Sequence, residues 1–478
     1  MKKPNRIFSI TTILIFSLLF IACKADAETI DSETSAAVTE RLESEIVATE
    51  TIAQPTIAQP TPKATTAVPT PISLPDLSGE TVTFWHIWGS GARGEAMTAI
   101  IDEFNAANQW GITVEPVDMG FYPQIEDAMY AGMQSGELPD AVIGYANALA
   151  SWHNMGIMTN LNTYFVDELV GFTSQEQVDF FPGTLSGAVN PTGERIGLPL
   201  SQSSYVLFYN LSWAQALGFD LPPQNTQELR QQACAAAAAT AGDTGGIVLY
   251  PGASYVMPWI YAFGDDALTE DGLDYDFTTT TLHEVAQFWK TLWDEDCAFA
   301  TETYPNPEFA TRQALFVMSS SAGLPHQTEA MVAAGSSDVW TVLPFLGPDG
   351  AQAVNAASQY AAVVNNSPER ALAAWLFLRY FTTPEVQARW VAAGDYYPVR
   401  MSAVDLLKSY AKEHPQWLAG LELLDYGHAE PAMPSWGAVR SVVQDTFDAI
   451  LTGAPEEIPV HLIQLNDLAT EIKAQAGP

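Results

Sequence analysis

The stretch Thr81-Val82-Thr83-Phe84-Trp85-His86-Ile87-Trp88-Gly89-Ser90-Gly91-Ala92-Arg93-Gly94 decides the fold. Its first five residues are all β-branched or aromatic, which predicts a strand. From Gly94 to Asn108 apolar residues recur at Met97, Ile100, Ile101 and Phe104, the helical period. Working outward, Ile112 to Val117 reads as a second strand and Tyr122 to Ser135 as a second helix. Ala141-Val142-Ile143, entered through Leu138-Pro139-Asp140, reads as a third strand. Strand, helix, strand, helix, strand predicts an α/β fold with parallel neighbours. Ligands of such sheets sit beyond the carboxyl ends of the strands. The residues just after the first strand, His86, Trp88 and the run from Gly89 to Gly94, are therefore candidates for a binding site.

That glycine run is formally G-x-G-x-x-G, follows a strand and opens a helix. Glu115 or Asp118 lies roughly where a ribose-binding acid would. A dinucleotide fingerprint, however, runs straight from the strand into its first glycine, and here His86-Ile87-Trp88 intervenes. Two weaker readings remain. Backbone N–H groups at the helix start could hold an anionic group with Arg93, or the glycines simply serve a tight turn.

Upstream the chain changes character. Lys2, Lys3 and Arg6 precede an apolar run from Ile7 to Ala22, the layout of a secretory signal over residues 1–22. Cys23 directly after it resembles the lipidated cysteine of a bacterial lipobox, although Phe20 stands where Leu is usual. Residues 23–78 are rich in Thr, Ala, Glu and Pro and predict a disordered, semi-rigid tether. Residues 79–478 are long enough for two domains of ordinary size.

Composition narrows the function. The 478 residues are 47% hydrophobic and 11% aromatic, as in a folded protein. A net charge of −37 leaves no basic surface for nucleic acid, so that partner is excluded. The acidity is read as a solvated surface rather than as a site for cations. Beyond Cys23 there are Cys234 and Cys297, and in an exported chain they most simply pair; two buried free thiols are the alternative. His283 alone supplies too few neighbours for a zinc site, and neither a metal nor a cofactor is expected. An exported glycoside hydrolase would need two positioned carboxylates. The acidic run Asp265, Asp266, Glu270, Asp271, Asp274 and Asp276 instead reads as a polar turn around Gly272. It lacks the ligand spacing of an EF-hand. No G-x-S-x-G, H-E-x-x-H or Walker-type motif occurs, so no enzyme is expected.

Eight short segments then fall into one order. They begin with Phe84-Trp85-His86-Ile87-Trp88, Leu138-Pro139-Asp140, Ile196-Gly197-Leu198-Pro199-Leu200 and Leu207-Phe208-Tyr209-Asn210. They continue with Pro258 to Gly264, Phe309 to Met318, Phe381-Thr382-Thr383-Pro384-Glu385-Val386-Gln387 and Gly394-Asp395-Tyr396-Tyr397-Pro398-Val399. Together these resemble the family 1 extracellular solute-binding proteins of ABC importers, the maltose-binding type. The resemblance implies a two-lobed, type II periplasmic-binding-protein-like α/β fold with a ligand cleft between sheets flanked by helices. It implies crossings near Leu198 to Ser203, Val317 to Ser320 and Val363 to Pro368. Residues 79–198 with 320–362 would form the N-lobe, and 204–316 with 369–478 the C-lobe. It further implies a monomeric receptor, lipid-anchored on the outer face of the cytoplasmic membrane, that delivers a small-molecule solute to permease subunits.

A sugar site needs aromatic platforms beside planar hydrogen-bonding groups. The expected ligand residues are His86, Trp88, Tyr122, Tyr145 and Asn147 after the first three strands, Ser204 and Tyr205 just past the first crossing, Trp259 in the C-lobe, Tyr396 in the turn that resembles the family's, and Trp436 after Pro431 to Ser435. A carbohydrate is the expected solute. A polyamine, a glycerophosphodiester or a sugar phosphate is the alternative.

Overall fold

A computed structural model describes residues 74–240 and 244–476. The signal sequence, Cys23 and the tether up to residue 73 lie outside the described residues. Leu77 is already buried in the core, so the folded part starts before Gly79.

The opening stretch builds strand β1 (Thr81–His86) and helix α1 (Gly91–Ala107). Strand β2 (Thr113–Asp118), helix α2 (Tyr122–Ser135), strand β3 (Ala141–Gly144) and helix α3 (Ala146–Asn154) follow. β1 pairs in parallel with both β2 and β3, as the alternation predicts. α1 turns Met97, Ile100, Ile101 and Phe104 inward, the four positions marked by the helical period. Further along come β4 (Leu198–Tyr209), α4 (Thr226–Ala239), β5 (Gly245–Val248), α5 (Ala253–Ala262), α6 (Thr280–Asp294), β6 (Ala298–Phe299) and β7 (Ala314–Ser320). The last part contributes β8 (Thr341–Leu343), β9 (Phe345–Leu346), β10 (Gln352–Val363), α7 (Pro368–Phe381), α8 (Pro384–Gly394), β11 (Gly427–Ala429), α9 (Trp436–Thr452) and α10 (Ile458–Ala476).

The sheet order is β2-β1-β3-β10-β4-β7-β5-β6. β4 and β10 lie antiparallel at its centre and carry the chain between two lobes. At one end β10 pairs with β3 of the first lobe; at the other it pairs with β9 of the second. One core holds Leu77 to Leu200 together with Tyr360 to Val399, including α7 and Trp390 of α8. The remaining cores hold Val206 to Val354 and Leu407 to Ala469, and they also take in Val391 and Tyr397.

These cores correct the expected lobe boundaries. Residues 324–354 pack with the second lobe, where Leu324, Trp340, Phe345 and Val354 are buried. Residues 371–390 pack with the first, where Phe377 meets Phe84 and Phe104 and Trp375 meets Tyr164 and Phe172. β7 therefore stays inside one lobe, and the second crossing is β10. The reason lies in its composition. Gln352 to Val363 is rich in Ala, a poor strand former, and its extended shape comes from pairing on both sides.

The centre of the sheet is polar. Ser201, Gln202, Ser203 and Ser204 of β4 are all buried. Ser201 Oγ donates to Gln359 Oε1 (2.7 Å), Gln202 Nε2 to the Pro398 carbonyl (2.7 Å) and Ser203 Oγ to the Ala357 carbonyl (3.3 Å). Buried polar groups persist only when partnered like this. In the second lobe Cys234 of α4 and Cys297 beside β6 form a disulfide.

Candidate functional site

Two cavities open beside the crossing strands. One encloses about 630 Å³ and the other about 350 Å³. They share Tyr205, Ser254, Gly437 and Arg440. The first lobe contributes Tyr145 and Asn147 at the start of α3. The second contributes the N-termini of α5 and α9, and β10 supplies Asn355 and Ser358 between them.

The larger cavity carries a chain of tyrosines. Tyr205, at the far end of the polar strip of β4, meets Tyr255 edge-on at 4.8 Å, and Tyr255 meets Tyr250 at 5.1 Å. Tyr304 is exposed at the rim. Burial pushes the phenols of Tyr145 and Tyr255 well above their ordinary value, so both stay neutral hydrogen-bonding groups.

At the junction lies a charged hub. Glu430 Oε1 accepts from Ser254 Oγ and from Asn355 Nδ2, each at 2.7 Å. Glu430 Oε2 accepts from Trp436 Nε1 at 2.7 Å and pairs with Arg440. Arg440 Nη2 donates to Ser254 Oγ at 2.8 Å. Loss of water around Arg440 lowers its pKa, while the nearby phenols Tyr205 and Tyr145 oppose that shift.

The structure sorts the expected ligand residues into two groups. Tyr145, Asn147, Tyr205 and Trp436 line the cavities. Tyr122 stands behind Tyr145, ring centroids 4.4 Å apart. The other five expected residues line neither cavity. Trp259 is fully buried between Phe288 and Phe345, with Nε1 against the Met318 sulfur. Ser204 is buried in the polar strip, its backbone N–H donating to Ser321 Oγ.

His86, Trp88 and Tyr396 form one packed stack. The His86 ring accepts the Trp88 backbone N–H at 3.0 Å. Trp88 Nε1 points at the Tyr396 hydroxyl at 3.4 Å, and Trp390 closes edge-on over Trp88 at 5.0 Å. Burial pushes the His86 imidazole down to about 4, against the pull of Asp118.

The glycine run next to this stack is a turn. Gly91 has φ +61°, and a side chain at Gly89 would strike the Asp118 carboxylate. Arg93 donates to the Gly394 carbonyl (2.8 Å and 3.2 Å) and lies 4.5 Å over the Tyr396 ring. The arginine offered above as an anion holder is thus already engaged. In the acidic run Asp271 accepts from Thr269 and Leu273 and Asp276 from Thr278, within local turns, while Asp274 pairs with Lys473 and Asp265 accepts from Thr279.

Sequence reasoning missed Glu430, Arg440, Ser254, Tyr250 and Tyr255. Two signals were available. Arg440 stands four residues after Trp436 and so shares its helix face. Tyr250 follows β5 in the same way that the first-lobe candidates follow their strands.

Comparison with known proteins agrees with this architecture. A model of the bacterial extracellular solute-binding protein family matches residues 99–417, and the chain belongs to that family. One relative is the sn-glycerol-3-phosphate-binding periplasmic protein UgpB of Rhizobium meliloti strain 1021. It is 23% identical over 389 residues, covering 77% of this chain and 88% of that protein. A similar solved structure is the cyclic alpha-maltosyl-1,6-maltose binding protein from Arthrobacter globiformis, with a TM-score of 0.71 and 22% identity. It covers 83% of this chain and 99% of that one. UgpB from Mycobacterium tuberculosis, in complex with glycerophosphocholine, is similar too, with a TM-score of 0.69 and 19% identity over 83% of this chain and 99% of that one. The fold is the two-lobed periplasmic-binding-protein type. Among the described residues no helix is long and apolar enough to cross a membrane.

Proposed function

We propose that this protein is the receptor of an ABC importer and captures a carbohydrate between its lobes. One observation carries the solute class. Tyr145, Tyr205, Tyr255 and Trp436 stand beside Asn147, Ser254, Asn355 and Ser358 on both sides of one cleft. Sugars present apolar C–H faces ringed by hydroxyls, and such a mixture of rings and neutral hydrogen-bonding groups complements them. The same cleft holds three carboxylates, Glu126, Glu302 and Glu430, against Arg440. That balance disfavours an anionic solute.

Contacts from both lobes stabilise a closed state, which a membrane permease then reads. On this reading Tyr145, Asn147, Tyr205, Ser254, Trp436 and Arg440 touch solute, while His86, Trp88, Trp259 and Tyr396 hold the lobes in shape. Cys23 carries a lipid on the outer face of the cytoplasmic membrane, the segment after it is the tether, and the receptor is a catalytically inactive monomer. The anchor keeps the receptor near its permease and raises the effective concentration there.

A glycerophosphodiester is the second reading, because Arg440 reaches both cavities, one similar solved structure holds glycerophosphocholine, and one relative is named for the phosphomonoester sn-glycerol 3-phosphate. Mass spectrometry of solute released from natively purified protein decides: a neutral oligosaccharide is expected, and a phosphorylated compound overturns the sugar reading. A thermal-shift screen with product analysis tests inactivity, since turnover of a bound oligosaccharide would refute it. Mass analysis of the mature N-terminus checks for diacylglycerol on Cys23, and light scattering checks the monomer.

A further inference from the structure

We infer that Glu430 sets the charge class of the solute: it holds Arg440 as an internal ion pair where the two cavities meet, so the cleft admits uncharged polyol faces and turns away anions. The inference rests on the carbohydrate reading above.

Both carboxylate oxygens of Glu430 are used. Ser254 Oγ and Asn355 Nδ2 donate to one; Trp436 Nε1 and Arg440 Nη1 donate to the other. These donors come from the start of α5, from β10 and from α9, so the charge is held from three separate elements. Arg440 is committed in turn, one terminal nitrogen to Glu430 and the other to Ser254. A partly buried carboxylate persists because such donors replace its water.

The guanidinium matters because of its surroundings. Among the described residues lining either cavity, Arg440 is the only Lys or Arg, and Glu126 and Glu302 face the same space. An arriving phosphate meets one cation already neutralised and two uncompensated carboxylates. Without the Glu430 charge, the planar fork of Arg440 becomes free for bidentate contact with a phosphate. Without the Arg440 charge, the carboxylate is left open to a cation beside the rings of Tyr205 and Tyr255.

The test uses the full mature chain, isothermal titration and three probes: a neutral maltodextrin panel, sn-glycerol 3-phosphate and choline. Glu430→Gln should bind sn-glycerol 3-phosphate at least about tenfold more tightly than wild type, with a steeper salt dependence. The double variant with Arg440→Gln should lose that gain. Arg440→Gln alone should bind choline at least about tenfold more tightly than wild type. This second variant keeps the idea testable if Glu430→Gln does not fold. Unchanged phosphate affinity in folded Glu430→Gln, unchanged choline affinity in Arg440→Gln, or tight phosphate binding by wild type would each overturn the inference. Failure of the sugar reading looks different: wild type binds no maltodextrin, yet both gains from charge removal remain.

Discussion

Two clusters of aromatic residues gather beside the sheet in this protein, and only one faces the cleft. In the first lobe His86, Trp88 and Tyr396 are sealed under Trp390, with Arg93 closing over the outer ring. In the second lobe Tyr205, Tyr250 and Tyr255 meet one another edge-on along an open cavity wall. The residue types are alike. What differs is what arrives from far along the chain. Helix α8 and the turn after it return to cover the first cluster, whereas the second lines a cavity that no element of the described residues fills. An aromatic beside the sheet stays open to a cleft only when nothing else in the fold claims its face.

The largest effect that can break this contrast is Trp88→Ala. Truncating a ring buried against Trp390 should cost about 3–5 kcal/mol of stability, read by denaturant unfolding, with solute affinity of the folded fraction unchanged. A tenfold loss of affinity at unaltered stability would instead put Trp88 in the site.

The disulfide probes the second lobe away from its cleft. Replacing Cys234 and Cys297 by Ser removes a cross-link spanning 63 positions, worth about 4 kcal/mol in the chain-entropy model. Thermal melts should register that loss, and solute affinity at 25 °C should hold.

His86 gives the first cluster a pH signature. Its folded pKa, about 4, lies below the ordinary 6.5. The unfolded chain therefore takes up the proton first as pH falls. This contribution is complete above pH 6.5 and declines between 6.5 and 4, by on the order of 3 kcal/mol. His86→Asn keeps an acceptor for the Trp88 N–H and should flatten that part of the stability–pH curve. A curve identical to wild type would remove His86 as its source.

The smallest effect belongs to the cleft. Tyr145 is 39% exposed. Tyr145→Ala should weaken solute binding about tenfold while shifting the melting temperature little. A large stability loss with intact affinity would move Tyr145 into the packed group.

Much of the fold was legible along the chain. The alternation from Thr81 to Gly144 marked a parallel sheet because strands and helices of that segment carry local periods. The eight ordered segments marked the two-lobed class. β10 was not legible: Ala-rich, it is a strand only because β3 and β4 pair with it. The lobe boundaries beyond residue 320 followed from that omission. Of the cleft, Tyr145, Asn147 and Trp436 were readable as polar-tipped residues at element starts, and Tyr205 from its place just past the first crossing. Glu430 was not, since its meaning depends on Ser254 and Asn355, 176 and 75 positions away.

The sequence by itself determined the α/β class and the family, because periodicity and ordered motifs are properties of the chain, and it pointed to Cys234 and Cys297 as partners. Tertiary structure decided which rings line the cleft, where the lobes divide and how Arg440 is paired. Those depend on which distant element covers a side chain, and burial is a property of the folded surface.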